Sequence, residues 1–199
     1  MLNIVNVGYD STNYYVIATA STKLLIDVGF PGTLPKLRHT LKRTGIALSD
    51  INYLLATHYH PDHAGLAQEV KRQGIKLIVL ENQLAAIPAL KQHMKPSQQY
   101  LDITLDDNIN VHTTESRSFL RRIGIDGEII ATPGHSDDSI TFILDTGIAF
   151  TGDLPPAYLP DDPTNATQRS WESIHSHHIT AVYPGHGSIR QIERLLNDN

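Results

Sequence analysis

Short apolar runs separated by polar turns characterise the first part of the chain. Apolar and β-branched residues predict strands over residues 4–7, 14–19, 23–28 and 51–56. Between the third and fourth strands, Leu34, Leu37 and Leu41 recur at helical spacing. Gly45 then ends the helix predicted over 34–43. The chain therefore begins as a group of strands with one amphipathic helix among them.

The rest of the chain alternates between helices and strands. Helices are predicted over 63–73, 81–100, 168–175 and 188–196, and strands over 76–80, 109–112, 128–131, 139–144, 147–150 and 180–183. Pro88 and Pro96 interrupt the second of these helices. Because no repeat or low-complexity linker divides the sequence, we expect one domain over residues 1–199, with two sheets covered by outer helices.

Composition restricts the class of protein. Of the 199 residues, 40% are hydrophobic and 19% are charged, which is typical of a globular chain. The absence of cysteine means that any metal ion must be held by histidine and carboxylate. A net charge of −5 opposes nucleic-acid binding. There is no apolar run of membrane-spanning length and no signal peptide, so we expect a cytoplasmic protein without a membrane partner.

Residues 57–65 read Thr-His-Tyr-His-Pro-Asp-His-Ala-Gly and hold four potential metal ligands within six positions. His58 and His60 are two residues apart, so they point to the same side of an extended segment. Pro61 and Asp62 mark the start of the helix that carries His63. A strand that ends and a helix that begins here would gather the four side chains around one point. Core packing does not explain four potential ligands so close together in the sequence.

Three later loops each follow an apolar strand and each offer one further ligand, namely His135, Asp153 and His186. Adjoining glycines permit tight backbone paths in all three loops. The resulting seven ligands exceed the needs of one tetrahedral site. They suit two ions that share a bridging carboxylate and a bridging water. The number of ligands therefore predicts a binuclear centre.

The order His-x-His-x-Asp-His followed by His, Asp and His resembles the hallmark of the metallo-β-lactamase superfamily, and residues 25–29 resemble its early Asp-x-Gly turn. This resemblance implies an α+β fold, a four-layer αββα sandwich with the metals at one edge of the paired sheets. It also implies a ligand assignment. The first ion would be held by His58, His60 and His135, the second by Asp62, His63 and His186, and Asp153 would bridge them. Asp27 would support a ligand or form the turn.

The resemblance further implies a hydrolase that cleaves a small-molecule ester, thioester, lactone or related carbonyl compound. We expect Zn²⁺, with Mn²⁺ or Fe²⁺ as alternatives, to lower the pKa of a shared water. Asp62 would orient that water or carry a proton. Tyr158 lies in a proline-rich loop over 154–167, which we expect to form a wall or partial lid of the pocket. Tyr158 would donate a hydrogen bond to the substrate.

Two other functions remain open from the sequence. A mononuclear iron sulfur dioxygenase on the same scaffold would use two histidines and one carboxylate. A non-catalytic, metal-stabilised binding or sensor module would keep the site without turnover. His60 stands where the flavin-linked diiron relatives carry glutamate, which opposes that redox branch. The natural substrate and the oligomeric state do not follow from the sequence.

Overall fold

Two mixed β-sheets form the centre of the computed structural model, which describes residues 2–156 and 165–192. The strands of the first sheet lie side by side in chain order: β1 (Asn3–Asn6), β2 (Tyr15–Ala18), β3 (Lys23–Ile26), β4 (Tyr53–Leu55), β5 (Lys76–Leu80) and β6 (Ile109–Val111). The second sheet contains β7 (Gly127–Ala131), β8 (Ile140–Leu144), β9 (Ile148–Gly152), β10 (Ala181–Pro184) and β11 (Arg190–Gln191). Pairing is antiparallel from β1 to β3 and parallel from β3 to β6, and β9 pairs with β10 in parallel.

Helices surround the two sheets. Those in the described residues are α1 (Leu34–Arg43), α2 (Pro61–Ala64), α3 (Ala67–Lys71), α4 (Ala86–Ala89), α5 (Ser116–Arg122) and α6 (Asn165–Ser176). The helix predicted over 34–43 is confirmed as α1, which buries Leu37 and Leu41. Its last turn carries Lys42 and Arg43, whose charges suit the negative end of the helix dipole.

A continuous apolar cluster fills the space between the two sheets. Ile26 and Leu55 project from the first sheet and pack with Phe142 and Phe150 of the second. Side chains of a strand alternate between its two faces, so every second residue of β3 and β8 contributes to this cluster. Each large apolar side chain buried in this way stabilises the fold by roughly 1.5–3 kcal/mol. The inner cluster therefore holds the two sheets face to face.

Two further clusters attach the helices to the outer faces. On the first sheet, Leu37 of α1 and Leu25 of β3 belong to the same buried group. On the second sheet, Trp171 of α6 packs with Val182 of β10. The order of layers is therefore helix, sheet, sheet, helix. This confirms the α+β, four-layer αββα sandwich.

The helix predicted over 63–73 is wrong in its extent. The structure instead contains two short helices, α2 and α3, with a break at Gly65 and Leu66. A Cβ at Gly65 would collide with the Pro61 carbonyl and with the Pro31 ring. The close approach of the loop around Pro31 therefore bends the chain where apolar periodicity alone predicts a continuous helix.

The closing helix predicted over 188–196 is also wrong for the residues that the structure describes. Arg190 and Gln191 form β11, which pairs antiparallel with Val182 and Ala181 of β10. Pairing with β11 gives hydrogen-bond partners to the backbone groups along the free side of β10. These hydrogen bonds stabilise a strand at 190–191 more than the local sequence pattern favours a helix. Residues 193–196 lie outside the described part of the chain.

The sequence analysis also missed α5, which follows β6. This helix buries Phe119 and Leu120 in the cluster between the sheets, and Arg117 on its surface pairs with Glu128 and Asp145. Among the described residues, no helix has both the length and the apolar character needed to cross a membrane.

Candidate metal centre

The strands that carry the predicted ligands end at the same edge of the paired sheets. The ligands are His58, His60, Asp62 and His63 after β4, His135 after β7, Asp153 after β9 and His186 after β10. Strands β7, β9 and β10 run in one direction, so their carboxyl ends meet. The Ile140 N–H donates to the Thr57 carbonyl over 2.9 Å and ties the second sheet to the loop after β4. The structure therefore brings all seven predicted ligands together.

Three imidazoles form the first group of ligands. His60 Nδ1 lies 3.1 Å from His58 Nε2 and 3.0 Å from His135 Nε2. Nitrogens that bind one Zn²⁺ tetrahedrally, each at about 2.0–2.1 Å, lie roughly 3.3 Å from one another. The two separations from His60 are therefore close to the spacing that a single ion requires, and all three ligand atoms lie within 4.8 Å of one another.

Asp62, His63 and His186 form the second group. Asp62 Oδ2 lies 3.2 Å from His186 Nε2 and 3.6 Å from His63 Nε2. Asp153 lies between the two groups, with Oδ1 3.3 Å from His63 Nε2. Its Oδ2 lies 3.4 Å from His186 Nε2 and 3.8 Å from His135 Nε2. A carboxylate in contact with both groups has the position of a bridging ligand.

Two of these atoms test whether the site suits a metal ion. His63 Nε2 and Asp153 Oδ1 are buried and make no hydrogen bond within the described residues. A buried polar atom left in this way costs about 1–3 kcal/mol, and native structures rarely leave one unpaired. Imidazole nitrogen and carboxylate oxygen are good ligands for a divalent ion, so the donor set fits the group expected from the sequence.

Hydrogen bonds behind the rings decide which nitrogen faces the centre. His63 Nδ1 donates to Asp27 Oδ2 over 2.9 Å, and His186 Nδ1 donates to the Ser11 carbonyl over 2.7 Å. Because both partners can only accept, each neutral ring carries its proton on Nδ1. Each ring therefore presents the Nε2 lone pair to the centre.

Asp27 supports ligands of both groups. Besides His63, it accepts the Thr57 backbone N–H over 2.6 Å and the Thr57 hydroxyl over 2.8 Å. With its proton directed at Asp27, Thr57 Oγ1 accepts from His58 Nδ1 at 3.2 Å. Asp27 therefore orients His63 directly and His58 through Thr57. It has the supporting position expected for it and adopts a left-handed φ of 59°, which aspartate tolerates better than most residues.

Burial and charge act together on the pKa values of the ligands. Burial lowers the pKa of His58 well below its usual value, and the neighbouring histidines lower it further. Burial also opposes protonation of His63, but Asp27 and Asp153 outweigh this effect and raise the pKa to about 10. Burial would raise the pKa of Asp153, yet the adjacent His63 holds it below its usual value. Because an imidazole nitrogen must be deprotonated to bind a metal ion, an ion at His63 competes with a proton, and zinc affinity should fall as the pH decreases.

Two glycines allow the chain to pass close to the ligands. A Cβ at Gly185 would lie 2.5 Å from Asp153 Oδ1 and 2.6 Å from His63 Cε1. A Cβ at Gly152, where φ is +54°, would lie 2.5 Å from Thr57 Oγ1. These positions leave no room for a side chain, so glycine is needed there for the ligands to converge.

The comparison with known families agrees with this geometry. The sequence profile of the metallo-beta-lactamase superfamily matches residues 7–186, which include all seven ligands. The chain belongs to the metallo-β-lactamase superfamily. The family resemblance inferred from the ligand motif is thereby confirmed.

Individual proteins resemble this chain at low sequence identity. A "Probable metallo-hydrolase MJ0888" of Methanocaldococcus jannaschii is 28% identical, over 95% of this chain and 93% of its own length. The "Beta-lactamase-like protein 2 homolog" of Caenorhabditis elegans is 27% identical over 89% of this chain, which spans 56% of that protein. The crystal structure of the metallo-beta-lactamase family protein TTHA1429 from Thermus thermophilus has a TM-score of 0.71 at 20% identity, covering 96% of this chain and 74% of that one.

The described structure and the sequence-based site differ in a few residues around the candidate centre. Tyr158, predicted to contact the substrate, lies outside the described residues, as do most residues of its loop. His93 was not singled out, but its ring centroid is 5.7 Å from that of His60. Thr57 was also missed, although its position beside His58 was a signal for a supporting role. The structure therefore adds neighbours to the centre without removing any ligand.

The Asp27→Asn variant tests the supporting hydrogen bonds. An amide keeps the shape of the side chain but loses the negative charge and one acceptor oxygen, so both His63 and His58 lose part of their orientation. We expect zinc affinity to fall roughly 10–100-fold, as for other residues that orient metal ligands. Competition with a chelating dye measures this affinity, and Asp145→Asn, in a surface ion pair, is the matched control. Unchanged zinc affinity would contradict the role of Asp27.

Proposed function

We propose that this metallo-β-lactamase family member is a metal-dependent hydrolase with two divalent ions, preferentially Zn²⁺. Its substrate would be a small ester, thioester, lactone or related carbonyl compound. The observation that carries the proposal is the convergence of seven ligands in overlapping groups of three, with Asp153 in contact with both sides. This arrangement matches two ions that share one carboxylate. Family membership supports the same class of reaction.

Asp62 is placed to handle the proton of the reaction. When bound, the ions would lower the pKa of a water between them and polarise the substrate carbonyl. Asp62 Oδ2 faces His63 and His186 and accepts the Thr12 hydroxyl over 3.1 Å, which restrains the carboxylate. The remaining oxygen, Oδ1, can then take up a proton and pass it to the leaving group. The side chain is 22% exposed, so it can exchange that proton with solvent.

A cavity of about 410 Å³ opens beside the centre and is large enough for a small organic molecule. The predicted ligands His135, Asp153 and His186 line this cavity, and Leu154 and Pro155 provide an apolar wall. A substrate in this cavity would present its carbonyl to the ligands while its organic part contacts the apolar wall. The beginning of the proline-rich loop therefore forms part of the wall, as the sequence suggests.

The sulfur dioxygenase remains a second candidate because one specific group of residues suits it. His58, His63 and Asp153 come together as two histidines and one carboxylate, a set typical of iron oxygenases. Asp62 and His186 complete a second site that such an enzyme does not need. We therefore prefer hydrolysis. One iron per chain with oxygen-dependent turnover would support the oxygenase instead.

Metal analysis is the first test of the proposed function. Protein purified under mild conditions and supplied with zinc should contain about two ions per chain, because the ligand set serves two positions. His186→Ala should reduce the content toward one, since it removes a ligand of the second group only. Elemental analysis by mass spectrometry measures both values. A wild-type content that stays at one under added zinc would overturn the binuclear centre.

Activity is then measured on protein of known metal content. A panel of aryl esters, thioesters and lactones covers the proposed substrate class, with His58→Ala as the variant that removes a ligand of the first group. Hydrolysis that depends on added zinc and is lost in His58→Ala would support the proposal. Full zinc loading without turnover of any compound would favour the non-catalytic binding or sensor module.

A further inference from the structure

The lining of the cavity includes a cation that the proposed hydrolytic centre does not use. Arg190 of β11 lines the cavity together with Ser188. Arg190 is half-buried and lies opposite Val182 in the sheet, so its backbone is held by strand pairing. Such a position suits a binding group better than a solvated surface charge.

Trp171 connects Arg190 with the wall of the cavity. The guanidinium carbon of Arg190 lies 5.9 Å from the centroid of the Trp171 ring, within the range of a cation–π contact. Trp171 is buried, and its Nε1 donates to the Pro155 carbonyl over 2.7 Å. The tryptophan is therefore anchored to the segment that lines the cavity and restrains the arginine beside it. A restrained guanidinium loses less conformational freedom when it binds a ligand.

The charge of Arg190 is not used in an internal ion pair of the described chain. Within residues 2–156 and 165–192, the arginine ion pairs are those of Arg117 with Glu128 and Asp145. A guanidinium has five N–H donors and matches the two oxygens of a carboxylate in a bidentate pair. Arg190 therefore offers these donors to a molecule that enters the cavity.

We propose that Arg190 is a specificity-determining residue that binds a carboxylate of the substrate, so that the enzyme cleaves small anionic carbonyl compounds. This inference rests on the proposed hydrolase function. The substrate would have its reactive carbonyl at the metal ligands, an apolar middle along Leu154 and Pro155, and a carboxylate at Arg190. Ser188 can donate a further hydrogen bond to the carboxylate.

Geometry limits the length of such a substrate. His186 and Arg190 are four residues apart, which separates their backbones by at most about 13–14 Å in a fully extended chain. Both side chains line the same cavity, so one small molecule can contact both of them. A carboxylate fits better than a phosphate because the described lining has one guanidinium and one serine hydroxyl, whereas phosphate sites usually combine more donors.

Three matched acetate esters test the inference on the zinc-loaded protein. In 4-acetoxybenzoate the carboxylate lies across an aromatic ring from the ester, 4-acetoxybenzamide is its neutral counterpart, and 4-acetoxyphenylphosphonate tests a phosphate-like group. In each hydrolysis the water oxygen bonds to the acetyl carbon and the bond between that carbon and the phenolic oxygen breaks. Acetate forms, and the phenolate leaves and takes up a proton that the water has lost. Absorbance of the released phenol gives kcat and KM.

We expect Arg190→Gln to raise KM for 4-acetoxybenzoate roughly 10–100-fold, as for the loss of a charge-assisted bidentate pair. Turnover of 4-acetoxybenzamide and zinc content should stay within about twofold, because the centre is untouched. Arg190→Lys should raise KM for 4-acetoxybenzoate less than Arg190→Gln does, since lysine keeps the positive charge but cannot form the bidentate pair. Arg43→Gln, on the exposed end of α1, is the matched control and should change neither ester.

A binding measurement keeps the inference separate from the hydrolase proposal. By calorimetry, wild-type zinc protein should bind benzene-1,4-dicarboxylate more tightly than 4-carbamoylbenzoate, and Arg190→Gln should abolish the difference. This holds even if none of the esters is cleaved, in which case only the hydrolase proposal fails. Equal losses on the charged and neutral esters, or a dicarboxylate preference that survives Arg190→Gln, would overturn the role of Arg190. If the protein prefers the phosphonate ester and this preference depends on Arg190, the proposal that Arg190 binds a carboxylate is wrong.

Discussion

We expect Asp62→Ala to lower kcat roughly 10²–10⁴-fold on the best substrate found, as for the loss of a general acid–base group. The carboxylate contacts His63 and His186 through Oδ2 and is restrained by the Thr12 hydroxyl. Removing it takes away both a proposed ligand of the second ion and the group proposed to carry the proton. The fold should persist because Asp62 lies at the edge of the sheets and is not part of the apolar clusters.

The two roles of Asp62 can be separated. Asp62→Asn keeps an oxygen ligand but accepts protons poorly, so it should retain more zinc than Asp62→Ala while losing a similar part of kcat. Steady-state kinetics at measured zinc content gives both values, and Asp102→Ala, in an exposed ion pair with Lys91, is the matched control. Near-wild-type turnover of Asp62→Ala would contradict the assigned role.

The second large effect is expected for Gly185→Ala. The added methyl group would overlap Asp153 Oδ1 and His63 Cε1, and both side chains belong to the ligand set. A displacement of about 1 Å in such a site can cost roughly 10²-fold in rate. We therefore expect a loss of that size in kcat/KM together with weaker binding of the second ion. Kinetics and zinc titration on the same preparation measure the two effects.

The control for Gly185→Ala must show what a glycine-to-alanine change does at a position away from the ligands. Gly74 has a left-handed φ of +91°, and no atom lies within 4 Å of the position that an added methyl group would occupy there. Gly74→Ala should therefore lower the midpoint of thermal unfolding while zinc binding and turnover stay unchanged. If Gly185→Ala behaves like Gly74→Ala, the close approach at Gly185 is not important for the centre.

Much of the site could be predicted because its signals are local. His58, His60, Asp62 and His63 are near neighbours in sequence, and β4 and α2 occur where the motif places the end of a strand and the start of a helix. The later candidate ligands could be found in the sequence because each follows an apolar strand and has a glycine nearby. The family resemblance then supplied the layer order, which composition and periodicity alone do not determine.

The parts that could not be predicted depend on contacts distant in sequence. Strand β11 forms because β10 offers a free edge, and nothing within residues 188–192 reveals that edge. The pairing of Asp27 with Thr57 joins residues 30 positions apart. Arg190 is likewise an ordinary charged residue in sequence, and only its place beside Trp171 and the cavity distinguishes it.

The distribution of ligands between the sheets ties metal binding to the joining of two consecutive halves of the polypeptide. The first half, through β6, supplies His58, His60, Asp62 and His63, and the second half, from β7 onward, supplies His135, Asp153 and His186. Each group of three therefore draws on both halves. An ion that binds the joined form more tightly favours that form in proportion to its free concentration. If the chain is divided near residue 125, the two fragments should therefore associate more strongly as zinc is added. The bound ions would then join the two fragments without a covalent bond.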